Sequence, residues 1–253
     1  MQGVTPDSLL ALHGAGYRAV LERLGPGRVL DIGCGQGFES VGFGGEGRRV
    51  FGVDYSAAAL QEASSRWSPE ELLVAQMDAG ALGMADQSVD WVCSSHLIEH
   101  FVDPAPHVSE VARVLRSDGT AFFITPNAPA DFENPFHVHP FEPDHLRDVL
   151  GRHFGDVTIL GIDAVARVKD DFRSRRERAA RLLALDVFHL RHRIPRSWYV
   201  GAYTRILPVA YGLIARSDTG GLTGITADDF FVTEDIDTTT LVLFALARHA
   251  MSR

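Results

Sequence analysis

One run of nine residues, Val29-Leu30-Asp31-Ile32-Gly33-Cys34-Gly35-Gln36-Gly37, restricts the fold and the ligand of this chain more than any other. An apolar strand pattern passes directly into three glycines at alternate positions, a turn that should open a helix. Glycine accepts positive φ, and it lets a ligand lie against the backbone with no Cβ between them. Two familiar uses of such a turn are excluded. A dinucleotide-binding G-x-G-x-x-G needs a third glycine where this chain has Phe38. A phosphate-binding P-loop needs a Lys-Ser/Thr ending, which is missing here. Asp31, at the end of the strand, repels a pyrophosphate and suits a ligand that carries positive charge.

From residue 28 to residue 160, short β-type runs alternate with helical stretches, which predicts a parallel sheet covered by helices. Strands are predicted at 28–32, 49–54, 72–77, 91–95, 120–125 and 157–162, and a seventh at 240–247. The second ends in Phe51-Gly52-Val53-Asp54-Tyr55-Ser56 and the third in Gln76-Met77-Asp78-Ala79. A carboxylate about 20 residues beyond a glycine loop can accept both ribose hydroxyls of a nucleoside. Asp78 is placed to meet an adenine amino group. Three acids at successive strand ends face the crevice in which open α/β sheets bind ligands.

On these motifs, together with Met84-Ala85-Asp86-Gln87-Ser88-Val89-Asp90-Trp91-Val92, the chain resembles the class I S-adenosylmethionine-dependent methyltransferases of the type 11/12 kind. The resemblance covers residues 16–160, with 240–247 as the family's antiparallel last strand. It implies a Rossmann-like α/β fold: a seven-stranded, mostly parallel sheet with that antiparallel strand. The residue pattern itself reads as one domain over 1–253, with a helical insertion at 163–237, expected to act as a lid, before the last strand. The resemblance also implies S-adenosylmethionine as cofactor. Asp31 would face its amine, and Gly33, Cys34 and Gly35 would line its methionine part. Asp54, with Tyr55 beside it, would take the ribose, and Asp78 with Ala79 the adenine. His96 and Leu97 would touch the cofactor from the fourth strand. His13-Gly14-Ala15-Gly16-Tyr17-Arg18 looks like the family's covering helix, with Tyr17 and Arg18 reaching the carboxylate end.

The acceptor side is read from Ser94-Ser95-His96-Leu97-Ile98-Glu99-His100 and from the histidines of Asn134-Pro135-Phe136-His137-Val138-His139-Pro140. A histidine titrates close to neutrality and can act as a general base. His100, His137 and His139 are the candidate bases, with Glu99 as the carboxylate that orients one of them. The segment resembles two branches of the family. One methylates glycans and secondary metabolites. The other comprises the small-RNA 2′-O-methyltransferases, where a Glu-x-x-Glu-His segment and a later histidine bind a divalent metal. Glu99, His100 and His139 match the last three of those ligands. His96 replaces the first, and imidazole suits zinc, manganese or iron better than magnesium. No metal residue is assigned, and a divalent ion stays open beside the reading of these histidines as pocket residues. His96-x-x-Glu99-His100 also spells an inverted zinc-protease pattern, but no remote glutamate ligand accompanies it.

Charge bears on the acceptor. The net charge is −9, yet residues 167–216 hold twelve Lys/Arg against four Asp/Glu, leaving the remainder strongly acidic. This basic stretch is either a solvated helix face or a surface for an anionic partner. The expected reaction is methyl transfer to a hydroxyl or amine of a small-molecule, glycan-like or lipid-linked acceptor, anionic if the basic stretch meets it. The alternatives are a metal-dependent RNA 2′-O-methyltransferase, disfavoured by the overall acidity, and a cofactor-binding pseudoenzyme acting through a partner. Peripheral membrane contact and the oligomeric state stay open. Two cysteines, Cys34 and Cys93, are too few for a disulfide framework and fit a reducing cytoplasm. The first residues show no secretory pattern. The most apolar run, 198–215, contains Arg205 and Pro208, which argues against a spanning helix.

Overall fold

A computed structural model describes residues 7–131, 137–183 and 224–251. Helix α1 (Asp7–Leu21) leads into strand β1 (Gly27–Ile32), followed by β2 (Arg48–Asp54), α2 (Ala57–Arg66), β3 (Leu73–Gln76) and β4 (Val89–Ser95). Then come α3 (Ala105–Val114), β5 (Leu115–Pro126), α4 (Pro143–Gly151), β6 (Phe154–Ala164), α5 (Ala166–Leu183), β7 (Phe230–Thr233) and β8 (Val242–Ala250). Local chemistry marks the helix starts. The Ser56 side chain accepts from the Ala59 N–H at the N-cap of α2, and the Asp103 carboxylate accepts from the Ala105 N–H at the start of α3.

The strands form one sheet in the order β3-β2-β1-β4-β5-β8-β6-β7. Strands β1 to β5 are parallel, while β8 runs antiparallel between β5 and β6. Two apolar layers sandwich the sheet. Val108, Val111, Leu146 and Leu150 of α3 and α4 cover one face, and Leu12, Ala19, Val168 and Phe172 of α1 and α5 cover the other. Chain order reverses between β1 and β4, so a crevice opens beyond their carboxyl ends.

All seven predicted strands are present, and the sheet has one more, which corrects the seven-stranded expectation. Strand β7 lies inside the segment 163–237 read as helical, pairing antiparallel with β6 from Phe230↔Ala164 to Thr233↔Gly161. Its Phe-Phe-Val-Thr sequence has strong β preference but only four residues, too short for a period to register. The helical reading holds for α5. Residues 184–223, with the apolar run 198–215, lie outside the described residues. Among the described residues, no helix is long and apolar enough to cross a membrane.

Candidate active site

The glycine loop is fastened to β2 by backbone groups. The Gly33 and Cys34 N–H groups donate to the Val53 carbonyl at 2.8 and 3.1 Å. Asp54 closes the turn: one carboxylate oxygen accepts from the Gly35 N–H at 2.9 Å, the other from the Ser56 N–H at 2.7 Å. Gly37 takes φ +75°, and a Cβ there would come within 2.3 Å of the Leu72 side chain. Gly52 is needed for a different reason, since a Cβ on it would sit 2.8 Å from Cys34 Sγ. Above Gly35 a Cβ would meet nothing within 4 Å, so the loop leaves space on its outer side. Leu97, from beyond β4, lies over Gly33 at 3.4 Å from a Cβ built there.

Asp31 is fully buried beneath this loop. Its carboxylate accepts from the Tyr17 hydroxyl at 3.1 Å and from the Ser40 hydroxyl. Burial pushes its pKa up to about 6, against the lowering effect of those hydrogen bonds. Burial likewise raises Tyr17, which stacks on Phe43. Asp31 and Tyr17 therefore lock α1 onto the sheet. Arg18 has other partners: its guanidinium pairs with Asp228 and donates to the Ala227 and Phe230 carbonyls, tying α1 to the start of β7. Tyr55 is exposed, with its carbonyl held by Gln76 Nε2 at 2.9 Å. Asp78 is exposed at the end of β3 and accepts from the Gly80 N–H at 2.8 Å.

Beyond β4 and β5 the crevice is built from side chains. His96 leaves β4 with φ +50°, a conformation uncommon outside glycine that clusters at functional sites. Its N–H donates to the Ile124 carbonyl at 2.7 Å, and the His13 ring lies 4.2 Å from its own, centroid to centroid. Burial and the neighbouring His96 push the His13 pKa down to about 3, with Glu99 acting in the opposite sense. Glu99 is 2% exposed. Its Oε2 accepts from the Thr125 hydroxyl at 2.9 Å, while Oε1 is buried without a hydrogen bond, 3.6 Å from His96 Nδ1. Burial alone raises the Glu99 pKa, but the His96 imidazole and then His100 outweigh it and hold the carboxyl below its usual range.

Glu99 also organises the following loop, since its carbonyl accepts from the Val138 and His139 N–H groups at 2.9 and 3.1 Å. This brings His137 beside His100, with ring centroids 5.2 Å apart. Candidate ligand atoms of Glu99, His100 and His137 all lie within 4.8 Å of one another. His137 Nδ1 is 2.6 Å from the Asp131 carboxylate. Burial lowers the His137 pKa, but Asp131 and the Glu99 charge outweigh it and raise it. A carboxylate only accepts, so Nδ1 carries the proton and Nε2 is the basic nitrogen.

Residues 30–123 match the methyltransferase domain family. A probable S-adenosylmethionine-dependent methyltransferase of Mycobacterium tuberculosis is 33% identical over 165 residues, which cover 62% of this chain and 60% of the relative. A ubiquinone biosynthesis O-methyltransferase of Alkalilimnicola ehrlichii is 36% identical over 103 residues, 40% of this chain and 42% of that protein. In fold, an S-adenosylmethionine-dependent methyltransferase of Thermotoga maritima superposes with a TM-score of 0.59 at 15% identity, covering 95% of this chain and 91% of that one. Residues 30–123 are thus similar to a methyltransferase domain, and the fold is shared with that structure. The chain spans 60% or less of the length of these curated relatives.

Against that domain, the sequence-predicted residues divide. Gly33, Cys34, Gly35, Asp54, Tyr55, Asp78, Ala79, His96 and Leu97 sit at or just beyond the carboxyl ends of β1 to β4, around the crevice. Asp31, Tyr17 and Arg18 each make side-chain contacts to other protein groups, Arg18 at the surface. Glu99, His100 and His137 come together, but His139 does not join them. The grouping of Glu99, His100 and His139 suggested by the resemblance differs from the one the fold brings together: His139 Nδ1 approaches the Val102 carbonyl at 3.3 Å, and its ring packs on Phe141 and His145. Asp131, Thr125 and His13 were missed by the sequence reading. Only His13 had a signal, lying in the stretch that resembles the covering helix.

Proposed function

We propose that this chain transfers a methyl group from S-adenosylmethionine to a hydroxyl of a small, anionic acceptor. Bound S-adenosylmethionine supplies an electrophilic methyl on a sulfonium. The open space over Gly35 and the carboxylates of Asp54 and Asp78 at neighbouring strand ends fit such a ligand. The residues then hold it in order: Leu97 and the Gly33–Gly35 turn at the methionine part, Asp54 at the ribose, Asp78 and Ala79 at the adenine.

The observation that carries the choice of a hydroxyl is the cluster Glu99–His100–His137 with Asp131 behind it. A neutral amine attacks without prior help, whereas a hydroxyl profits from a base as the bond forms. Asp131 orients His137 so that Nε2 can take that proton, and Glu99, anchored by Thr125, holds negative charge beside it. The ubiquinone biosynthesis O-methyltransferase relative agrees in reaction type. The basic stretch 167–216 supports an anionic acceptor, and its first helix reaches the site, since Arg176 Nη1 donates to the Pro129 carbonyl at 2.7 Å, two residues before Asp131. Orientation of acceptor and methyl donor can contribute on the order of 7–11 kcal/mol. The test is an acceptor screen read out by S-adenosylhomocysteine release, run on the wild type and His137→Asn. Release with hydroxyl acceptors that collapses in the variant supports the reading. Turnover of amines alone, unaffected by the substitution, overturns it.

A second reading has its own observation. Glu99 Oε1 is buried without a hydrogen bond, and the Glu99 carboxylate lies close to two imidazoles, one of them oriented by a second carboxylate. Metal-binding histidines are commonly held that way by an outer carboxylate. In this version Glu99, His100 and His137 hold a divalent ion of the zinc, manganese or iron type, and His137 is a ligand rather than a base. Metal analysis decides it. A stoichiometric ion, with activity lost to chelator and restored by metal, supports the ligand role; a metal-free protein indifferent to chelator removes it.

A further inference from the structure

His107 has no part in either catalytic reading, yet it is a fully buried histidine with two side-chain hydrogen bonds and a pKa that burial lowers to about 4. Its partners fix its tautomer. The Ala79 carbonyl, 3.1 Å from Nδ1, can only accept, so Nδ1 carries the hydrogen. Nε2 is then an acceptor, and the Ser94 hydroxyl donates to it at 2.9 Å. The ring stacks on Phe101 at 5.1 Å.

The consequence lies one peptide further on. In a trans peptide the C=O and N–H point in opposite directions. The Ala79 carbonyl points inward to His107, so the Gly80 N–H of the same peptide points outward, where it donates to the Asp78 carboxylate at 2.8 Å. A single chain of hydrogen bonds therefore runs from Ser94 on β4, through His107 on α3, across the Ala79–Gly80 peptide, to Asp78. The same face of α3 holds the rest of the loop: Glu110 accepts from the Leu82 N–H at 2.7 Å, and Arg113 donates to the Leu82 and Met84 carbonyls at 2.9 and 2.7 Å. Residues 107, 110 and 113 recur every three positions and share one face of the helix.

We propose that His107 is a positioning residue for nucleobase recognition, fixing the Ala79–Gly80 peptide and through it the Asp78 carboxylate. This rests on the reading that Asp78 and Ala79 receive the adenine. The readout is the preference for S-adenosylhomocysteine over S-inosylhomocysteine, whose 6-amino group is replaced by a carbonyl, measured by calorimetry beside melting temperature.

His107→Phe keeps the stacked ring and loses the donor. His107→Asn keeps a donor near the Nδ1 position and loses the ring. The proposal expects His107→Phe to lower the adenine preference about three- to tenfold with little change in melting temperature, the range for one lost hydrogen bond. His107→Asn should retain the preference while melting lower, a split that packing alone would reverse. Ser94→Ala, which frees the tautomer, should lower the preference about twofold and serves if His107→Phe does not fold. An unchanged preference in both His107→Phe and Ser94→Ala overturns the proposal. Asp78→Ala separates the underlying reading. If it leaves the preference intact, Asp78 does not read the adenine and the proposal falls with it; if it abolishes the preference while His107→Phe does not, only the proposal falls.

Discussion

The two halves of the crevice are built on different principles. Around β1, β2 and β3, backbone groups do most of the holding: Gly33 and Cys34 donate to Val53, Gly35 and Ser56 donate to Asp54, and Gly80 donates to Asp78. Around β4 and β5, side chains from separated segments meet: His13, His96 with Glu99 and His100, Thr125, Asp131 and His137. A site made by a strand, a turn and its own backbone is specified within a few residues. A site made by distant side chains is specified only by the completed fold. The first half suits a ligand that never varies, while the second can change its acceptor by exchanging side chains without disturbing the loop.

If the halves are separable, substitutions should divide cleanly between them. The largest effect is expected for Glu99→Gln. Gln can still accept from Thr125, so the fold should persist, but the buried negative charge beside His96 and His100 is gone. Positioned acid–base groups typically contribute 10²–10⁴-fold, and a loss of about a hundredfold in kcat is expected at unchanged cofactor affinity. Weakened S-adenosylmethionine binding by calorimetry would instead join the two halves. Asp54→Ala is the reciprocal experiment. It removes a charged acceptor from the loop and, on the proposed reading, from the ribose, worth about 1.5–3 kcal/mol. Cofactor affinity should fall about tenfold or more, while acceptor KM at saturating cofactor stays close to wild type.

This division also explains what the sequence revealed. Strand β1, the glycine loop, Asp54 and Asp78 were legible because each is a local pattern whose spacing is set by one strand and one turn. The pair His100 and His137 was partly legible as residue types, but their partnership was not. His137 and His139 are indistinguishable in sequence; what separates them is that Asp131 receives one ring while Phe141 and His145 receive the other. Asp31 shows the opposite limit. Its place at a strand end suggests a ligand contact, while its burial and its hydrogen bonds to Tyr17 and Ser40 depend on α1 and the loop before β2, which no local pattern announces. Strand β7 escaped because edge pairing with β6, rather than periodicity, makes it a strand.

A smaller effect lies in the pH dependence of stability, where buried groups of opposite sign compete. His107 is held down to about 4 in the folded protein, against 6.5 when free. Its contribution is full above pH 6.5 and is lost as the pH falls towards 4, because the unfolded chain takes up the proton first. The stake is on the order of 3 kcal/mol. Asp31, raised to about 6, works the other way: its contribution is present below its free value of 3.8 and is lost as the pH rises to about 6. Melting temperature should therefore drop less between pH 6.5 and pH 4 in His107→Phe than in the wild type, and the Asp31→Asn protein should drop more. Parallel profiles in all three would mean that neither group is buried in the form drawn here.

The smallest effect belongs to His139, and it tests the boundary of the acceptor half most directly. By residue type and position His139 is as good a base as His137, and the resemblance to the metal-binding branch picks it out. In the fold its ring lies on Phe141, its Nε2 is 3.4 Å from His145 and its Nδ1 is 3.3 Å from the Val102 carbonyl, all contacts away from the Glu99 carboxylate. The backbone N–H of His139, which donates to the Glu99 carbonyl, survives any side-chain substitution. His139→Asn should thus cost at most about 1 kcal/mol of stability and leave kcat within about twofold of wild type, whereas His137→Asn should lower kcat by about a hundredfold. Comparable losses in the two variants would show that His139 swings into the cluster when the acceptor binds. The acceptor half would then be assembled by its substrate, in contrast to the preformed glycine loop.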